Sequence, residues 1–317
     1  MATEKNITMK QFNGTDYDTL YPKTITSQVD GLLLPQILAT TFPNTEVTAS
    51  LNGKTVSAMS DSSGLAILKI PSYGTWTLKA TVNGIPLETP FVIDAVAVFN
   101  TSMILTNLED SSWAIISSVA NTGNAASVWS VGDKKTIKFN GVSYTAQIIG
   151  FNHDTKTTGG KAGITFQLVD CLNSTYYMNS SETNKGGWKN SAMRSYMSEF
   201  FGMLDGDLQS VIKAVDKSTS AGNKSSTIET VSDKLFLLSE VEIFGSVFNS
   251  FAGEGSQYDW YKSGNTKVKK VNGTVTAWWE RSPDKSNIIN FCVVTDNGYH
   301  SHSDADTRFG VSFGFCV

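Results

Sequence analysis

Over the first third of the chain, apolar and polar residues alternate in short runs, and each run ends in a turn signal. Residues 47–51 (Val-Thr-Ala-Ser-Leu) alternate and lead into Asn52-Gly53, a pair suited to a two-residue hairpin. Asp61-Ser62-Ser63-Gly64 precedes an apolar strand at 65–70, and 73–80 alternates again before Asn83-Gly84. Turn signals at intervals of about eight to twelve residues predict a two-sheet sandwich over 27–100. Residues 1–26 carry too few apolar positions to build a core, so they are expected to be extended or to need a partner. Residues 101–112 read as a linker.

The pattern then changes. Strands are expected at 113–119, at 136–139 and 144–151 around Asn140-Gly141, at 163–172, at 235–238 and at 241–244. Trp188, Ala192, Tyr196, Phe200 and Leu204 recur four apart, with Met193, Met197 and Phe201 beside them, which predicts one helix; a shorter one is expected over 207–215. Trp278 and Trp279 offer large buried area, and Phe313, Phe315 and Val317 alternate in a final strand. Between them, 295–304 is too polar and turn-rich for core. It is expected to be a loop or loop pair pinned at both ends by strands, the usual place for a binding site.

Composition narrows the function classes. Charged residues are only 17% of the chain and the net charge is -4, so no basic footprint for nucleic acid exists. The most apolar stretch, 32–38, is interrupted by Pro35 and is too short to cross a bilayer, so no membrane insertion is expected. No apolar run of signal-peptide length follows the first residues, which points to synthesis in a cytoplasm. The Asn-x-Ser/Thr sites at Asn100, Asn173 and Asn179 are then products of composition. Cys171, Cys292 and Cys316 read as reduced, buried thiols, with a single disulfide as the alternative.

Candidate chemistry is sparse. His300 and His302 lie on one side of an extended strand with Asp304 or Asp306 close by, a set able to hold zinc or nickel. An exposed pair is the better reading, and neither metal nor cofactor is expected. Glu240 and Glu242 flank Val241 in a strand-like pattern that turns both to one face; a glycosidase pair is one reading, and solvated or paired surface charges are the better one. His153 reads as a hydrogen-bonded structural residue.

Several strings, in order, carry a family resemblance. They are Val131-Gly132-Asp133, Ile149-Gly150-Phe151-Asn152-His153-Asp154 and Thr165-Phe166-Gln167-Leu168-Val169-Asp170. They continue with Gly187-Trp188, Met193-Arg194, residues 233–239, Trp278-Trp279-Glu280-Arg281-Ser282-Pro283 and the ending 310–317. Residues 113–317 so resemble the C-type-lectin-like domains related to formylglycine-generating enzymes, a group that includes the variable proteins of diversity-generating retroelements. The N-terminal third resembles immunoglobulin-like spacer modules, and 11–24 resembles the attachment stretches of phage tail fibres.

The resemblance implies a multidomain chain: an attachment segment (1–26), an all-β immunoglobulin-like sandwich (27–100) and an α+β C-type-lectin-like domain (108–317). The last domain would carry a diversified stretch at about 284–309. Rewriting of template adenines turns asparagine codons into many residue types but never Lys, Glu, Gln, Met or Trp, and 286–309 contains none of those five. The implied function is binding without catalysis, of a host or target-cell surface protein or glycan. The implied location is a phage tail, with other tail proteins as partners of the N-terminus and a homotrimer as the common fibre assembly; a bacterial surface adhesin is the alternative. The formylglycine-generating oxidase reaction, a third possibility, needs two neighbouring cysteines, whereas Cys292 and Cys316 fall on separate predicted strands. The expected ligand contacts are Ser286, Asn287, Ile288, Asn290, Thr295, Asn297, Tyr299, His300, His302, Asp304, Thr307 and Arg308. Ile288 is the weaker member, since it could alternate into the core. The expected scaffold is Trp278, Trp279, Arg281, Phe313 and Phe315.

Overall fold

A computed structural model describes residues 9–12, 17–20, 34–41, 44–82, 85–94, 98–102 and 107–317. The protein is rich in β-structure arranged in several small sheets, and it divides into two compact units, Met1–Ile104 and Leu105–Val317.

In the first unit, β1 (Met9–Phe12) and β2 (Tyr17–Leu20) form an antiparallel hairpin. The segment expected to be extended or to need a partner thus pairs with itself over these eight residues; the rest of 1–26, including 13–16 of the fibre-like string, lies outside the described residues. Seven strands follow: β3 (Gln36–Thr40), β4 (Glu46–Leu51), β5 (Lys54–Met59), β6 (Leu65–Lys69), β7 (Gly74–Val82), β8 (Ile85–Ile93) and β9 (Val98–Ser102). They make a three-stranded sheet, β6-β3-β9, and a four-stranded one, β5-β4-β7-β8. Inward residues of both sheets, including Ile37, Leu68, Val47, Trp76 and Leu78, form one apolar cluster. Period-two alternation puts them on facing sides. Asn52 and Gly53 hold φ of 49° and 78°, the mirror-image turn that matches strand twist. The Asn83-Gly84 turn lies outside the described residues. β9 runs to Ser102, into what reads as linker.

The second unit is built on a five-stranded sheet, β10-β11-β12-β21-β15. Its strands are β10 (Lys134–Phe139), β11 (Val142–Phe151), β12 (Ile164–Leu168), β15 (Leu235–Phe236) and β21 (Gly314–Cys316). The final strand lies between β12 and β15 and is wholly buried, so the last residues are core, with Phe315 stacked on Phe166 at 5.2 Å. Two hairpins, β13 (Val215–Ser220) with β14 (Ile228–Asp233) and β16 (Lys269–Val271) with β17 (Thr274–Thr276), flank a separate sheet. That sheet is β18 (Trp278–Pro283), β19 (Asn290–Val294) and β20 (His300–Asp304).

Two expected strands are helices. Residues 113–119 belong to α1 (Trp113–Asn121), capped by Ser112, whose hydroxyl accepts from the Ile115 N–H. Trp113, Ile116, Val119 and Ala120 are buried at helical spacing. A β-carbon on Gly163 would lie 2.1 Å from the Ala120 carbonyl, so only glycine permits this helix to sit so near the chain. Residues 241–244 belong to α4 (Glu240–Phe244), started by a capping box in which Ser239 and Glu242 bond reciprocally and ended by Gly245 at φ 72°. In consequence Glu240 and Glu242 are buried, not surface charges.

The helix expected from 188 is a short 3-10 turn at Trp188–Asn190 followed by α2 (Ala192–Phe201), because Ser191 caps a new start by accepting from the Arg194 N–H. The next helix, α3 (Gly206–Val211), stops before β13 begins at Val215; α5 (Asp259–Lys262) is one turn. Among the described residues, no helix is long and apolar enough to cross a membrane.

Candidate functional site

The stretch expected to be a loop pair is largely a hairpin. β19 pairs with β18 on one side and β20 on the other, with Cys292 opposite His302 and Val294 opposite His300. β18 and β19 are buried throughout, while no residue of β20 is. Polar side chains can therefore stand on the outer strand without disturbing the core.

Beneath it lies a charged interior. Arg281 is fully buried, and its guanidinium donates to both Glu242 oxygens (2.5 and 2.9 Å) and to the carbonyls of Leu237, Ser218 and Glu254. Lys217 donates to Glu242 (2.7 Å), Asp154 (2.8 Å) and the Tyr258 hydroxyl (3.1 Å), and Tyr258 donates to Asp154 in turn. Burial alone would raise the carboxyl pKa of Asp154 and Glu242. The Lys217 ammonium outweighs it at Asp154, and the Arg281 guanidinium together with Lys217 outweighs it at Glu242, so both lie below their ordinary range. Such a network is stable only while every partner is present. Glu254 takes the opposite course: burial pushes it up to about 7 despite hydrogen bonds from Thr219, Ser220 and Ser282. Glu280 is also fully buried, neither of its oxygens has a hydrogen-bond partner, and burial together with Glu240 and Glu254 pushes it well up.

The loop entering β19 is held by residues distant in sequence. Asn184, itself buried, donates through Nδ2 to the carbonyls of Asn287 (2.7 Å) and Asn290 (2.8 Å), and through its own N–H to that of Ile288 (2.8 Å). Asp284 accepts from the N–H (2.6 Å) and hydroxyl (2.7 Å) of Ser286. Gly222 (φ 71°) packs so near that a β-carbon there would lie 1.8 Å from the Asn184 carbonyl.

The expected contacts divide as follows. Tyr299 stands out at the hairpin tip at 70% exposure, above a turn closed by Thr295 accepting from the Tyr299 and Gly298 N–H groups. Ser286, Ile288, Asn297, His302 and Arg308 are exposed; Asn287, Thr295, His300, Asp304 and Thr307 are half-buried. Ile288 thus faces out, not into the core. Asn290 corrects the expectation: at 5% exposure it is buried beneath His302, 2.6 Å from its Nδ1, because it lies on the inner strand. Arg308 donates to the Thr175 carbonyl (3.1 Å) and lies over the Tyr177 ring at 5.2 Å, so the surface continues onto 175–177. Trp278, Trp279, Arg281, Phe313 and Phe315 are all fully buried.

His300 and His302 are engaged separately, His300 with Asn249 and His302 with Asn290 and Asp284. No cluster of three or more His, Cys, Asp or Glu side chains able to hold a metal occurs among the described residues. His153 stacks on Tyr258 at 4.0 Å. The three cysteines are free and buried, and burial pushes the Cys171 thiol up to about 12 and those of Cys292 and Cys316 well up. None is a ready nucleophile.

Asn184 and Asp284, which hold the surface in place, escaped the sequence reading, and Glu240 and Glu242 were placed by it on the surface. A signal existed for one pair only, since Ser239-x-x-Glu242 is a capping-box string.

In this unit a buried two-strand layer with a charged interior carries a half-exposed outer strand. Residues 162–317, which include all of that sheet, match a family described as a domain of unknown function, DUF6273. The match begins after β10 and β11, although both belong to the same five-stranded sheet as β12. No curated protein matches the chain.

Proposed function

We propose that the second unit is a C-type-lectin-like ligand-binding domain, and that the chain is a receptor-binding protein of a phage or prophage tail. Its ligand is a protein or glycan on a host or target cell, met by the outer hairpin strand and the loops around it. The first unit serves as an immunoglobulin-like spacer, and 1–26 attaches it to other tail proteins. The observation that carries this reading is the split across one small sheet: β18 and β19 are buried, while β20 and its turns present Tyr299, His302 and Arg308. A surface of this kind tolerates replacement, since exposed side chains away from special features change stability by no more than about 0.5 kcal/mol. A central Tyr or Arg can nevertheless contribute about 2 kcal/mol or more to binding. Two buried cysteines on different sheets, both with thiols held protonated, favour binding over oxidase chemistry.

Sequencing the locus across related isolates tests the reading. Substitutions are expected at Ser286, Ile288, Asn297, Tyr299, His302 and Arg308, with a reverse transcriptase and a near-identical template repeat close by. Trp278, Trp279, Arg281, Phe313 and Phe315 should not change. Exchange spread evenly over both sets would overturn it, and an adjoining export or sorting system would favour an adhesin.

A further inference from the structure

Asp154, Lys217 and Glu242 stand on three different elements, the segment after β11, β13 and α4, and all three are buried. Lys217 Nζ lies 2.8 Å from Asp154 Oδ1 and 2.7 Å from Glu242 Oε1, with the Phe236 ring 4.1 Å away. The second Asp154 oxygen, Oδ2, accepts from the hydroxyl of Thr165 (2.6 Å) and from that of Tyr258 (2.9 Å), which spans both oxygens. Arg281 fixes Glu242 by donating to both of its oxygens. A primary amine, a carboxyl group, a carboxylate base and two donors to one carboxyl oxygen are thus held in contact away from water. With Oδ1 at hydrogen-bond distance, the carboxyl carbon stands roughly 3.5 Å from the amine nitrogen, at the edge of the near-attack range.

The charges of this interior pair off, Lys217 and Arg281 against Asp154 and Glu242. Deleting any one of them strands a buried ion. Condensing Lys217 with Asp154 instead removes one charge of each sign and leaves Arg281 paired with Glu242. It also ends the cost of keeping two ions out of water.

We propose that Lys217 and Asp154 join in an intramolecular isopeptide bond, with Glu242 as proton carrier and Thr165 and Tyr258 as donors to the oxyanion. The ammonium passes a proton to Oδ1 along their hydrogen bond, giving an amine and a carboxylic acid. Nζ then attacks Cγ, and the carbonyl electron pair moves onto Oδ2, where the two hydroxyls stabilise it. Glu242 takes a proton from the attacking nitrogen and returns it to Oδ1. The Cγ–Oδ1 bond breaks, water leaves, and the pair on Oδ2 restores the carbonyl. An ammonium and a carboxylate have become an amide and one water, with no oxidant, and Glu242 ends as it began. The ion pair is the major form beforehand, since Lys217 holds the Asp154 carboxyl below its ordinary range, so the bond forms slowly and once. Without Arg281 the base is no longer positioned and Lys217 keeps its charge. The bond joins residues 63 apart, so the unfolded chain keeps a closed loop.

Mass spectrometry of the full chain, denatured, tests this directly. Wild type should be lighter than its sequence by one water. Trypsin should leave residues 139–156 joined to 214–224, uncut after Lys217, and fragmentation should place the bond on Asp154 and Lys217. A wild type at full sequence mass overturns the proposal, as does a lost water with no joined peptide. Lys217→Arg should keep its full mass; a missing water in that variant overturns the assignment to Lys217. Tyr258→Phe removes a donor without a charge, and after cell-free synthesis its mass should fall about a hundredfold more slowly than that of wild type. An equal rate overturns the oxyanion role. Glu242→Gln, where it folds, should stay at full mass, and bond formation there at the wild-type rate overturns Glu242 as proton carrier.

Discussion

β18 and β20 flank the same strand and pair with it in the same antiparallel sense, yet their environments differ completely. β18 (Trp-Trp-Glu-Arg-Ser-Pro) is buried at every position, two of them carboxylate and guanidinium; β20 (His-Ser-His-Ser-Asp) is buried at none. Strand pairing uses backbone groups alone, so it asks little of the side chains of an edge strand. The side chains of β18 fill space and close a charge network, and each is constrained by all its neighbours. One small sheet can therefore have a fixed side and a replaceable one.

Removing the centre of the fixed side should have the largest effect. Arg281→Leu leaves Glu242 with Lys217 as its only cationic partner, at an expected cost of about 3–5 kcal/mol. Urea denaturation measures it; a loss below ~1 kcal/mol would show that the network does not anchor the sheet.

Glu280 sharpens the same comparison with the opposite sign. Its folded pKa lies well above the ordinary 4.5, so the stability it contributes is complete below that value and is lost as pH rises toward the folded pKa. Glu280→Gln cannot ionise. Relative to wild type it should change little at about pH 5 and stabilise at about pH 8. The gain should grow steadily as pH rises from the lower value to the higher, because only the wild-type side chain ionises on unfolding. A difference independent of pH would remove the carboxyl from this account.

On the replaceable side the expected change is smallest. Tyr299→Ala and Arg308→Ala should each stay within about 0.5 kcal/mol of wild type. A larger loss in thermal or urea unfolding would make β20 and its flanks part of the core and erase the contrast.

Local chemistry was legible in the chain. The turns at Asn52-Gly53 and Asn140-Gly141 read correctly because left-handed backbone favours those residues, and both pairs have positive φ. The alternation of 47–51 and 73–80 likewise translated into strands with one buried face. Residues 113–119 did not read correctly, since Trp-Ala-Ile-Ile-Ser-Ser-Val serves either period, and the Ser112 cap with close packing against Gly163 selected the helix. Asn290 carried a local signal that went unused: it stands in the apolar run 288–294, which became the buried β19, whereas Asn297 lies in the Thr-Asp-Asn-Gly turn.

By itself the sequence determined the turns, most strand faces and the stretch that would carry exposed polar side chains, because these depend on backbone preference and short-range periodicity. Only the tertiary structure decided that Glu240 and Glu242 lie inside and that Asn184 holds a loop about a hundred residues away. A buried charge is stable only against partners that the fold brings together, and no local pattern encodes which partners those will be.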